Sequence, residues 1–274
     1  MKPSFPDWPL LAPDTVEADD KRQFVTALAR GLELLRCFTP DGKPLGNQEL
    51  ARRSGLPRPT VSRLTHTLTR LGYLRYAPAS GKYHLEIGVL AFGYAMLSNL
   101  AICDAAHAPM AALARQAQAA VAIGARDRLD MVYLHVAHSE AHLTMRRQVG
   151  SRIPLHSSAM GKACLAAMPE TERAFLLEHL RRRHPDDWAA IRLSLEQAFR
   201  DYAERGFCLS LGEWQRGVNS VGVAMRHPSH GLIAFNCGGP SFQLKRRRLE
   251  EDIGPRLADM AHRLATMGLG DDDH

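Results

Sequence analysis

The chain has 274 residues, 45% hydrophobic and 23% charged, with a formal net charge of +6. That length supports a sizeable core and favours two domains over one, and no apolar run approaches the ~20 residues that a membrane-spanning helix requires. The opening MKPSFPDWPLLAPD is acidic and broken by proline, unlike a secretory leader, so a cytoplasmic location without a membrane partner is expected.

Residues 1–20 hold four prolines and a net charge of −4, and read as a flexible arm. In FVTALARGLELLRCF, Val25, Leu28, Leu32, Leu35 and Phe38 approximate a 3.6-residue period. This predicts an amphipathic helix ending before Pro40-Asp41-Gly42. Asn47 is suited to cap a short second helix, NQELARRS, with Leu50 and Ala51 inward and Gly55 ending it. A third helix starts near Pro59 and runs to Gly72, with Val61, Leu64, Leu68 and Leu71 on one face. YLRYAPASGKYHLEI then alternates as strand, turn and strand, a β-hairpin wing. The order of elements is that of a winged helix-turn-helix.

Charge agrees with this pattern. Residues 21–84 carry twelve Lys or Arg against Glu33, Asp41 and Glu49, a net of +9, whereas the 190 residues that follow sum to +1. One basic segment beside a neutral bulk is the footprint of a nucleic-acid-binding module joined to something else; a solvated basic surface is the alternative. The third helix presents Thr60, Ser62, Arg63, His66, Thr67 and Arg70 away from its apolar face, with Arg58 at its start. Short polar and basic side chains near the beginning of such a helix can reach base edges. Arg63 suits bidentate bonding to guanine, while Arg52, Arg53, Arg70, Arg75 and Lys82 suit phosphates.

From Ile87 to about Gln118 the chain is rich in Ala and Leu and predicts a linker helix followed by another helix. An apolar exposed face of that kind predicts self-association. Strands follow in AVAIGARD, MVYLHVAH and LTMRRQVG, then two or three helices between about residues 157 and 206. Further strands FCLSLGE, NSVGVAMR and GLIAFNC precede a closing helix from about Gln243 to Met267. That order predicts an α+β domain and not a doubly wound parallel sheet.

The blocks FVTALARGLELLRCF, ELARRSGLPRPTVSRLTHTLTRLGYL, GSRIPLHSSAMGKACLAA and RGFCLSLGEWQRGVNSVGVAM resemble the IclR family of bacterial transcriptional regulators, over about residues 24–265. The resemblance implies a winged helix-turn-helix DNA-binding domain (21–84), a dimerising linker helix (85–105) and a GAF-like α+β effector-binding domain (106–274). It also implies dimers or tetramers, with a double-stranded DNA operator and a small-molecule effector as partners. Carried over by motif, the effector-binding positions are Ala159, Met160, Ser210, Ser220, Asn236 and Gly238. A helix beginning after Ser158 would offer backbone N–H groups and a positive dipole end, suited to a small carboxylate, including an aromatic one.

Other chemistry finds little footing. Gly161-Lys162 has His156 where a phosphate loop needs Gly and Ala163 where it needs Ser or Thr. Ser157 and Ser158 beside His156 lack a nucleophile elbow, and capping is the simpler role. His135, His138 and His142 do not share a strand face, which leaves zinc a minor alternative. Glu213 and Asp130 have no evident acid-base partner in the sequence. The five cysteines, Cys37, Cys103, Cys164, Cys208 and Cys237, form no C-x-x-C and predict reduced thiols. No catalytic residue, metal or cofactor is expected. The rival reading is an enzyme acting through the C-terminal domain with a basic tethering segment.

Overall fold

A computed structural model describes residues 24–40, 42–139, 148–227 and 231–267. They fall into two compact units that part between Asn99 and Leu100.

The N-terminal unit contains α1 (Thr26–Arg36), β1 (Leu45–Gly46), α2 (Asn47–Ser54), α3 (Arg58–Arg70), β2 (Leu74–Ala77), β3 (Lys82–Leu85) and α4 (Gly88–Leu97). Leu34, Leu45, Leu50, Val61, Leu68 and Leu74 form its core. The helices and wing match the expected order, with one added element: β1 pairs with β3 to make a three-stranded sheet ordered β1-β3-β2. Two residues carry no detectable alternation.

Three local expectations change. In α1 the inward residue is Leu34, while Leu28 and Leu32 are 62% and 53% exposed. The helix is apolar on more sides than one contact can cover, and the Val25–Leu28–Leu32 stripe is the uncovered side. Leu71 of the third-helix stripe is likewise exposed. Asn47 is the first helical residue and not the cap, which is Gly46; its Oδ1 instead accepts from the buried Thr65 hydroxyl at 3.3 Å, tying α2 to α3.

The linker helix expected over 85–105 is interrupted. α4 ends at Leu97, where Ser98 Oγ donates to Tyr94 O at 2.9 Å and Asn99 Nδ2 to Ala95 O at 2.6 Å. Such side chains bond back to the backbone at a helix end. α5 (Ala101–Ala117) then opens the C-terminal unit.

That unit continues with β4 (Ala120–Asp127), β5 (Asp130–Ala137), β6 (Arg152–Pro154), α6 (Ala159–Ala167), α7 (Glu170–Arg183) and α8 (Trp188–Arg205). It closes with β7 (Cys208–Leu211), β8 (Val218–His227), β9 (Gly231–Pro240), α9 (Arg246–Arg248) and α10 (Gly254–Met267). The six strands form one antiparallel sheet ordered β6-β5-β4-β9-β8-β7. The unit is therefore α+β, as expected. α6 packs on β8 and β9 and carries α8, while α5 and α10 pack on β4, β5 and β8.

The strand expected over 143–150 lies mostly outside the described residues, as does His142; Gln148–Gly150 lead by a turn into β6. The closing helix starts at Arg246 and not at Gln243, with a π-helical turn at Leu249–Ile253. Pro255 has no N–H to give to Glu251, so regular helical bonding cannot run through that point.

Candidate functional site

Two places in the molecule carry the groups singled out by sequence. The first is α3. Arg58, Ser62, Arg63, His66, Thr67 and Arg70 are exposed on it, and Thr60 is half-buried. Val61, Thr65 and Leu68 hold the opposite side in the core. Thr60, Arg63 and Thr67 also rim an apolar groove of about 660 Å³ lined by Leu28, Leu32, Leu64, Leu71 and Phe92.

The cations differ in how they are held. Arg58, Arg63, Arg70 and Lys82 have no hydrogen-bond or ion-pair partner among the described residues. Arg52 and Arg53 both grip Glu49, at 2.7 and 2.6 Å, and Arg53 also donates to Cys37 O at 3.0 Å. The Arg52 and Arg53 hydrogen bonds pull the Glu49 carboxyl down to about 2. Arg75 pairs with Glu86 at 3.2 Å.

The second place is a cavity of about 120 Å³ in the C-terminal unit. It exists because small residues alternate onto one face of adjacent strands: Ala120 and Ala122 of β4, Gly238 of β9 and Ser220 of β8. Asn236, also on that face, is 6% exposed. Its Nδ2 donates to Tyr133 Oη at 3.3 Å, and its Oδ1 is buried with no partner.

Ser220, Asn236 and Gly238 thus stand together on the cavity wall. Ala159, Met160 and Ser210 do not line it. Ala159 and Met160 are fully buried in the first turn of α6, and Ser210 Oγ donates to Ser157 O at 2.7 Å. Sequence reasoning missed Tyr133, Trp214 and Ile153, which also line it, together with His138, weighed only as a metal ligand, and Ser158, weighed only as a helix start. Period-2 alternation gives the inward face of a strand, but not which inward residues border empty space.

α6 begins as expected. Ser158 Oγ accepts from Gly161 N at 3.1 Å and donates to Pro154 O at 2.6 Å, so this hydroxyl is a cap. His156 stacks on His184 with ring centroids 4.6 Å apart, and burial pushes its pKa down to about 4. Glu213, which the sequence leaves without a partner, takes both carboxylate oxygens to 2.6 Å from Lys162 Nζ. His135 Nε2 lies 3.1 Å from His107 Nδ1 of α5, a neighbour the sequence does not suggest. Burial pushes the Cys164, Cys208 and Cys237 thiols up to about 12, far from thiolate chemistry at neutral pH.

Comparison with known proteins gives these two places a context. Residues 27–78 match the family model for the IclR helix-turn-helix domain, and residues 94–266 match that for the bacterial transcriptional regulator IclR C-terminal domain. The HTH-type transcriptional regulator TsaQ1/TsaQ2 of Comamonas testosteroni is 37% identical over 239 residues, 86% of each chain. An IclR family transcriptional regulator from Brucella abortus, known by crystal structure, is 61% identical, with a TM-score of 0.86 over 90% of this chain and 93% of that one. An IclR homologue from Microbacterium hydrocarbonoxydans, crystallised with 4-hydroxybenzoate, shares the fold at 20% identity, with a TM-score of 0.62 over 88% and 98% of the two chains. These matches retire the enzymatic alternative. A helix-turn-helix with its polar face exposed, joined to an α+β unit with a small internal cavity, identifies the chain as a member of the IclR family of bacterial transcriptional regulators.

Proposed function

We propose that residues 21–84 bind an operator in duplex DNA and that residues 106–274 sense a small organic carboxylate, aromatic carboxylates included. Binding would act by population shift, through different affinities of the ligand for the DNA-competent and DNA-incompetent arrangements. The observation that carries the sensing half is Asn236 Oδ1, a buried acceptor without a partner on a cavity wall. Buried polar groups are normally satisfied, so an orphan facing a cavity points to a ligand that completes it. An apolar cavity of ~150 Å³ accepts a benzene ring, so this one suits a single ring or a short chain. Asn236 can meet a hydroxyl through its carbonyl or, turned over, a carboxylate through its amide, with the Ser220 and Tyr133 hydroxyls adapting to either.

Isothermal titration across aliphatic and aromatic carboxylates, starting with 4-hydroxybenzoate, tests this reading. At least one is expected to bind one per chain, and Asn236→Leu is expected to weaken it ~10- to 100-fold. Silence across the panel would count against a carboxylate effector.

Self-association belongs to the region 85–105. None of the residues of α4 is buried within the chain, and Ile87, Leu90, Phe92, Tyr94 and Met96 are exposed beside the apolar groove. A second copy, as a dimer or within a tetramer, is the occupant that accounts for so much apolar surface on one short helix. Leu90→Glu with Tyr94→Glu is expected to lower the mass in sedimentation equilibrium without loss of helicity. An unchanged mass would move the interface elsewhere.

A further inference from the structure

The loop between β7 and β8, residues 212–217, is bounded by two glycines of positive φ, Gly212 at 74° and Gly217 at 79°. Between them Glu213 and Trp214 point to different places. Trp214 lines the cavity beside Ser220 and Asn236. Glu213 is gripped by Lys162, which also donates to Leu209 O at 3.3 Å, and the Ser194 hydroxyl donates to Glu213 Oε2.

Lys162 is 2% exposed, whereas the Glu213 side chain is 36% exposed. A buried ammonium without its carboxylate is costly, so Lys162 strongly favours keeping Glu213 beside it. Lys162 sits in α6, among the most buried elements of the unit. α6 therefore grips the loop through this ion pair, alongside the packing of Trp214 on the core and the backbone bonds at Gly212 and Gly217, and the residue after Glu213 forms a wall of the cavity. Loop residues otherwise retain freedom that blurs a binding surface. An indole that borders a ring-sized space is a group on which a planar ligand can stack.

We propose that Trp214 makes the cavity selective for planar ring ligands, and that Lys162 is its positioning residue, acting through Glu213. The selectivity rests on the cavity being the effector site; the positioning does not.

The full chain labelled with 5-fluorotryptophan has three indole resonances, from Trp8, Trp188 and Trp214, with the last assigned by Trp214→Phe. Lys162→Met is expected to move or broaden the Trp214 line and leave that of Trp188 in place. Should that variant unfold, Lys162→Met with Glu213→Gln removes both charges and gives the same reading. A Trp214 line unchanged in a folded variant overturns the positioning role.

Calorimetry with 4-hydroxybenzoate and trans-4-hydroxycyclohexanecarboxylate then tests selectivity, since the two differ in ring planarity but not in polar groups. The planar probe is expected to bind about tenfold more tightly, and Trp214→Leu is expected to level the two. Equal affinities in the unaltered chain, or binding that leaves the Trp214 line unmoved, overturn the selectivity. If neither probe binds, the planar-ring selectivity falls, the carboxylate reading is decided separately by the wider panel, and the fluorine spectrum still decides the role of Lys162.

Discussion

Replacing Arg58, Arg63 and Arg70 together by alanine is expected to weaken sequence-specific DNA binding severely and to leave the N-terminal unit folded. These side chains are exposed and have no partner among the described residues, so their removal orphans nothing inside the protein. Exposed substitutions of that kind usually change stability by less than ~0.5 kcal/mol. On DNA the loss is of another size. One bidentate base contact is worth ~1–3 kcal/mol, and each lost phosphate contact lowers the salt slope by ~0.9. The three together are expected to weaken specific binding by a factor of ~10² to 10⁴. Gel shifts at two salt concentrations, with thermal melting as the folding check, measure both halves. Arg53→Ala makes the contrast, because it removes the donor to the Cys37 carbonyl and one of the two arginines on Glu49, and so costs stability as well.

The largest expected loss of stability follows from a single methyl group. A Cβ at Gly222 would overlap the Ala159 carbonyl, and one at Gly161 would overlap the Leu155 carbonyl. Both obstacles are backbone, so neither can turn aside: Gly222 lets α6 lie against β8, and Gly161 lets it lie against the chain at Leu155. Gly222→Ala is expected to cost about 3 kcal/mol or more, equivalent to a fall of ~6–12 °C in melting temperature. Gly239→Ala is the control, since its nearest obstacle is a side-chain methyl of Leu244 at 3.3 Å and not backbone. If the two variants melt alike, the close approach of α6 to the sheet is not what limits stability.

Much of this architecture is legible before any coordinates. Helical period and turn residues give α1, α2, α3 and the wing, because those segments are long enough to repeat their pattern. Alternation gives β4, β5, β7, β8 and β9 for the same reason. β1 and β6 escape, being two and three residues long and defined only by the strands they pair with. The buried side of α1 is misread because the helix is apolar on two sides, and only packing decides that Leu34 goes in and Leu32 stays out.

The candidate site divides along the same line. Asn236, Ser220 and Gly238 come from the family resemblance, and all three border the cavity. Ala159, Met160 and Ser210 come from the same motifs, yet here close packing and the Ser210–Ser157 bond remove them from the lining. Lys162 and Glu213 lie 51 residues apart, so their pairing depends on how α6 meets the β7–β8 loop and leaves no local signal.

The central claim is that the exposed face of α3 reads bases in a major groove. Dimethyl sulfate protection tests it on a duplex selected from a random library by the unaltered chain, since guanine N7 lies in the major groove and adenine N3 in the minor. The expected result is protection of discrete guanines, with one position lost in Arg63→Ala and the others kept. Protection confined to adenine N3, or a guanine pattern identical in Arg63→Ala, would contradict it.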